Sequence, residues 1–117
     1  MGDVLLNGVA VTGAGSSKTF EKPKRFFAFK SFWVANGDTV TVVKIDVEWS
    51  ADPAGVLDAD ATWFTLVTHT YTADEITALA AGFFSSDKLA SRIRGNLKTY
   101  TGSGGDADFT LELEDSS

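Results

Sequence analysis

The sequence predicts an all-β protein: an antiparallel two-sheet sandwich, jelly-roll-like, with six to eight strands and one short helix near residues 73–81. Three observations carry this expectation. Apolar and polar residues alternate with a period of two over much of the chain, the signature of half-buried strands. Turn-forming residues separate these stretches, most plainly Asn36-Gly37 and Thr101-Gly102-Ser103-Gly104-Gly105. Three Trp and nine Phe in 117 residues are more than one open sheet can shelter, so two sheets must face each other. The length suits one compact unit, and residues 1–117 are read as a single sandwich domain.

The elements follow in chain order. Val4 to Thr12 reads as a strand bent at Asn7-Gly8, and Pro23 marks Thr19 to Lys24 as an edge strand or a strand start, because proline cannot donate to a ladder. Phe26 to Val34 is a strand with Phe27, Phe29 and Trp33 on its inward parity. Asn36-Gly37, a pair that readily adopts positive φ, then predicts a tight hairpin turn. After it the apolar parity changes between Val42 and Val43, which calls for a β-bulge. Ala61 to Tyr71 is a further strand. Thr72-Ala73-Asp74-Glu75 has the form of a capping box, with Ile76, Leu79, Ala80 and Phe83 at helical spacing and Gly82 as the stop. Leu89 to Tyr100 and Asp106 to Glu114 alternate cleanly. Paired as a hairpin they set Lys98 by Asp108, Arg94 by Glu112, Arg92 by Glu114, Leu97 by Phe109 and Ile93 by Leu113.

Composition excludes several chemistries. Without cysteine the chain has no disulfide, thiolate nucleophile or zinc–thiolate site, and its single histidine, His69, cannot build a histidine-rich metal centre. Sixteen acidic against ten basic residues give a net charge of −6, which opposes general affinity for nucleic acid or anionic lipid. The N-terminus lacks a basic region followed by an apolar core, so no signal peptide is expected. The longest apolar stretch, Phe26 to Ala35, is half the length of a membrane span.

Candidate chemical groups are few. No Gly-x-Ser-x-Gly elbow accompanies His69, which reads as a half-exposed strand residue, and chance carboxylate pairs are inevitable among sixteen acids. Asp52, Asp58 and Asp60 share one loop and are weak calcium candidates, without the EF-hand pattern. Basic residues gather at Lys18, Lys22, Lys24, Arg25 and Lys30, and again at Lys88, Arg92, Arg94 and Lys98. The second group has acidic neighbours in the expected hairpin. The first is less neutralised and suits an acidic protein surface better than a nucleic-acid groove. Phe26 to Val34 is apolar on both parities, broken on the second only by Lys30. That face is either covered from within or a contact patch, and Phe26, Phe32 and Val34, with Lys22, Lys24 and Arg25, are the interface candidates.

Several segments carry a resemblance. Thr12-Gly13-Ala14-Gly15-Ser16-Ser17 resembles the early "TGAGSS" element of small tailed-bacteriophage structural proteins. Val42 to Ser50, then Asp52 and Trp63-Phe64-Thr65-Leu66, is similar to their "VxLxxSxD…WxxL" element. Arg92-Ile93-Arg94, Thr101-Gly102 and the closing Phe109-Thr110-Leu111-Glu112-Leu113 are similar to their "vRanv…tG…vtvxL" ending. The longer Asp52–Asp60 loop and the capped helix at Thr72 depart from the pattern. The resemblance implies a β-sandwich virion component without catalysis or cofactor, a capsid decoration or minor virion protein assembled in the host cytoplasm. Its expected partners are other capsid or tail proteins and further copies of itself, without nucleic acid or membrane. The alternative expectation is a carbohydrate-binding module of a tail or adhesin, with Trp49 or Trp63 as a stacking platform for a glycan.

Overall fold

A computed structural model describes residues 3–53, 55–78 and 80–117. Nine strands and one short helix follow in the order β1 (Asp3–Val9), β2 (Gly13–Ala14), β3 (Lys18–Lys24), β4 (Phe27–Val34), β5 (Thr39–Trp49), β6 (Phe64–Thr70), α1 (Ala73–Thr77), β7 (Gly82–Ser86), β8 (Ala90–Ser103) and β9 (Asp108–Ser116). They form two antiparallel sheets. One has the order β1-β9-β4-β7; the other runs β2-β8-β5-β6, with β3 joining β2 on the outer side of β8.

This is the strand order of a jelly roll, and it dictates how each connection runs. Apart from β2 to β3, which lie along the same strand, only β5 and β6 follow one another within a sheet. Every other connection crosses to the opposite layer. The two expected hairpins are therefore corrected. Asn36 (φ 52°) and Gly37 (φ 82°) do take positive φ, and Asp38 N–H closes the turn on Ala35 C=O at 2.9 Å. Yet β4 hydrogen-bonds to β7 and β9, while β5 bonds to β6 and β8. Likewise β8 and β9 lie in different sheets, so Arg92 and Arg94 do not stand beside Glu114 and Glu112. Alternation tells which side chains point inward, and an arch satisfies it as well as a hairpin does: Ile93, Leu97, Phe109 and Leu113 meet across the sandwich instead of along it.

The core lies between the sheets and includes Phe27, Phe29, Trp33, Val43, Ile45, Val47, Ile93, Leu97, Phe109, Leu111 and Leu113, all buried. The expected parity change in β5 is present: Val40 and Val43 are buried and Val42 is not. The extra residue sits between Val40 and Val42, which pair with the adjacent Gly102 and Thr101. In β1 the register shifts between Leu6 and Val9, around Gly8 at φ 59°, and in β3 between Thr19 and Lys24, around Pro23. The capping box forms as read: Glu75 N–H donates to Thr72 Oγ1 at 3.2 Å, and Thr72 N–H to Glu75 Oε1 at 2.9 Å. The helix ends at Thr77, short of residue 81, and Gly82 and Phe83 open a strand instead of closing a helix. Leu79, expected on the helix, lies outside the described residues.

Candidate functional site

The two outer faces of the sandwich differ in how their polar groups are used. On the β8-β5-β6 sheet, Arg94 Nε donates to Glu48 Oε1 at 2.8 Å across the β5–β8 ladder, and Thr68 Oγ1 donates to Asp46 Oδ1 at 2.7 Å across the β5–β6 ladder. Arg92 is buried, and its guanidinium gathers the long β5–β6 loop by donating to Pro53 C=O, Val56 C=O and Asp58 Oδ1 at 3.3, 2.6 and 2.7 Å. Trp63 covers this set. Its ring centre lies 4.1 Å from the Arg94 guanidinium and 5.3 Å from that of Arg92, and its Nε1–H donates to Asp58 C=O at 2.9 Å.

The calcium candidates are engaged separately in this loop. Asp58 accepts from Ser17 Oγ (2.6 Å), Ser17 N–H (2.9 Å) and Arg92. The Ser17 hydroxyl, followed by the Arg92 guanidinium, holds its carboxyl down at about 2. Asp52 accepts from Thr62 N–H at 2.5 Å, and Asp60 is exposed. Among the described residues no three acidic or histidine side chains gather as metal ligands would.

His69 is a partly buried residue of β6, consistent with the strand reading. Its ring stacks parallel to Phe84 at 5.2 Å and meets Tyr71 edge-on at 4.7 Å, with Nε2 3.4 Å from Glu75 Oε2. The buried Ser31 hydroxyl bonds to Tyr71 Oη. Burial raises the Tyr71 pKa, and the Thr72 amide, with help from His69, lowers that of Glu75. This cluster ties the start of the capped helix to the interior of β4, the end of β6 and Phe84 of β7.

The outer face of the β1-β9-β4-β7 sheet has no such cover. Val4, Glu112, Lys30 and Phe83 form one row across its four strands, and Thr110 with Phe32 and Asp108 with Val34 form the next two. Val4 is 49% exposed, Val34 58% and Phe83 70%. Lys30 Nζ sits 5.5 Å from the Phe32 ring centre and 5.9 Å from that of Phe83, and Glu112 stands opposite it in the ladder, with no ion pair to Lys30 within 4 Å among the described residues. Among the described residues neither the helix, which packs near β5, nor β1, which lies within the sheet beside β9, covers this face.

The remaining interface candidates lie elsewhere. Phe26, 57% exposed, precedes β4 at the end of the sandwich, where Arg25 N–H and Phe26 N–H both donate to Ser117 C=O. Two adjoining grooves open there. One, about 630 Å³, includes Phe26, Ala28, Val67, Ser85, Asp87, Lys88 and Asp115 in its lining; the other, about 580 Å³, is lined by Arg25, Phe26, Trp49, Asp87, Lys88 and Leu89. Arg25 and Lys88 line these grooves, Lys22 and Lys24 lie on β3 just before them in the chain, and no carboxylate among the described residues lies within 4 Å of the charged groups of these four residues. The candidate patch thus divides between an outer sheet face (Phe32, Val34) and an aromatic end of mixed charge (Phe26, Arg25), with Lys22 and Lys24 on the strand that leads into it.

Phe83, Leu89 and Val4 belong with these surfaces and escaped the sequence reading. Phe83 fitted the helical spacing, although the run Gly82-Phe83-Phe84-Ser85-Ser86 carries the aromatic strand preference that identifies β7. Comparisons of this chain with protein families, curated proteins and solved structures found no match.

Proposed function

We propose that this chain is a non-enzymatic bacteriophage structural protein, a capsid decoration or minor virion component that works through many repeated protein contacts. The observation that carries the reading is the uncovered outer face of the β1-β9-β4-β7 sheet, where Val4, Val34 and Phe83 stand in solvent on a rigid two-layer scaffold. A small domain gains useful affinity from such a patch when many copies engage one lattice, because each weak contact adds to the next. The resemblance of residues 12–17, 42–66 and 92–113 to small tailed-phage structural proteins points the same way. The test is gold labelling of purified particles with an antibody to this chain: label at regular positions on head or tail is expected. Unlabelled particles, with the protein recovered only as free chain, would overturn the reading.

A carbohydrate-binding module is the second reading, favoured by Trp49, which packs against Phe64 at 5.3 Å and lines the groove beside Phe26. Trp63 is the weaker platform, since its ring already meets two guanidinium groups. Titration with acidic and neutral oligosaccharides while following tryptophan fluorescence tests this, and an unchanged spectrum counts against it.

A further inference from the structure

We propose that Asn36 is a site of spontaneous covalent modification, deamidation through the glycine that follows it, and that its conversion loosens the end of the sandwich where the β4–β5 and β8–β9 connections meet. Asn36 and Gly37 are exposed and take positive φ, 52° and 82°. Gly37 has no side chain to shield its backbone nitrogen, and among the described residues that N–H donates to no protein acceptor. The reaction needs only water. The Gly37 nitrogen attacks Asn36 Cγ while its proton passes to solvent; the N–Cγ bond forms, the Cγ–Nδ2 bond breaks, and the amide nitrogen leaves as ammonia with a proton taken from water. A second water then opens the cyclic imide at either carbonyl, giving aspartate, or isoaspartate with the main chain running through Cβ.

The fold makes this amide a tie between two crossing connections. Asn36 Nδ2 donates to Asp106 C=O at 3.1 Å and to Asp108 Oδ2 at 3.0 Å. The two backbones already touch, since a Cβ on Gly105 would lie 2.6 Å from Asn36 C=O. Beside them the buried Asp38 carboxylate accepts from the Tyr100 hydroxyl through one oxygen and has no partner for the other, while Ala107 N–H donates to the same hydroxyl at 3.0 Å. Among the described residues no cationic group lies within 4 Å of the Asp38, Asp106 or Asp108 carboxylates. A carboxylate at position 36 turns both donated bonds into contacts between acceptors and adds a fourth acid to an end without a paired cation. The extra backbone atom of isoaspartate enters the same close contact. Asn7-Gly8 repeats the dipeptide, also exposed, with Gly8 at φ 59°. There Gly8 N–H donates to Thr110 Oγ1 at 3.2 Å, and the Asn7 amide makes no hydrogen bond among the described residues, so its conversion removes no tie. Conversion at Asn36 is irreversible and needs no enzyme, so it records the age of a chain as the loss of one specific contact.

The test ages the full chain in warm, mildly alkaline buffer and follows it by peptide mapping, with fragmentation that separates aspartate from isoaspartate, and by thermal melting. Peptides holding Asn36 should gain the mass that marks exchange of the amide NH2 for OH, with isoaspartate among the products, and the melting temperature should fall in step. Freshly made N36D should melt roughly 5 °C below the unaltered protein, whereas N7D should stay within about 2 °C of it. N36Q, whose longer side chain closes the imide far more slowly, should hold its own starting melting temperature through the same ageing; if it fails to fold, N36S, which has no amide, takes its place. An Asn36 that stays intact after prolonged ageing overturns the site. Conversion at Asn36 without a fall in melting temperature, or an N36D protein that melts with the unaltered chain, overturns the tie. An aged N36Q that loses stability as fast as the unaltered protein assigns the loss elsewhere and overturns the link between the two.

Discussion

The two outer faces of this sandwich rest on the same kind of ladder and put their polar groups to opposite uses. On the β8-β5-β6 sheet, charge is consumed internally: Arg94 meets Glu48, Arg92 meets Asp58 and two loop carbonyls, and Trp63 lies over both guanidinium groups. On the β1-β9-β4-β7 sheet, Lys30 lies against two aromatic rings and opposite Glu112 with no ion pair among the described residues, and large apolar side chains stand in water beside it. A face whose donors and acceptors are matched gives a partner little to bind. An unmatched face keeps that capacity, which is why the proposed function places recognition on the second face.

The largest effect that should separate them is at Arg92. Replacing it with alanine removes the charged donor to Asp58, Val56 C=O and Pro53 C=O, of which Asp58 keeps Ser17 and Pro53 keeps Val56 N–H, and should destabilise the protein by about 3 kcal/mol, which lowers the melting temperature by roughly 10 °C or more. Calorimetry of R92A checks this, and a melting temperature within a degree or two of the unaltered protein would mean that the loop needs no anchor. Next comes Gly95 on β8, where an added Cβ would lie 2.8 Å from a Leu111 methyl and 2.9 Å from Leu6. Gly95→Val should cost about 1–3 kcal/mol by overpacking, read as a shifted denaturation midpoint.

Acid should act through the same paired face. The folded pKa of Asp58 is about 2, below its unfolded value near 4, so its contribution is full above pH 4 and is lost as pH falls toward 2. Asp58→Asn should flatten the stability profile in that window, and an unchanged acid limb would show that other carboxylates control it. The smallest effect on stability is expected at the unmatched surfaces. K22Q/K24Q/R25Q/K88Q should melt within about 0.5 kcal/mol of the unaltered protein while its association weakens.

These contrasts also mark where sequence reasoning succeeded. The period-two pattern and the Trp and Phe content identified two stacked sheets, and the inward residues of β4 and β9, with Ile93 and Leu97 of β8, are those their parity indicates, whereas at the start of β8 Leu89 is exposed and Ala90 buried. Local chemistry was legible to the residue at Thr72 and Glu75, whose capping box depends only on neighbours, and at Asn36-Gly37, whose positive φ does too. The partners of Arg92 and Arg94 were not legible. Asp58 is thirty-four residues from Arg92 and Glu48 forty-six from Arg94, and both pairs depend on the crossing connections of the jelly roll, which a tight turn does not reveal. The same non-local step split the Phe26–Val34 stretch between two surfaces. Period alone gave each residue a side, while neighbouring strands decided what stood beside it.

Photo-crosslinking from position 83 tests most directly the claim that the bare face is the recognition surface. With Phe83 replaced by a photoreactive benzoylphenylalanine, irradiation of the chain in assembled particles and mass spectrometry should locate crosslinks from position 83 to another protein chain. Crosslinks confined to the same chain would contradict it.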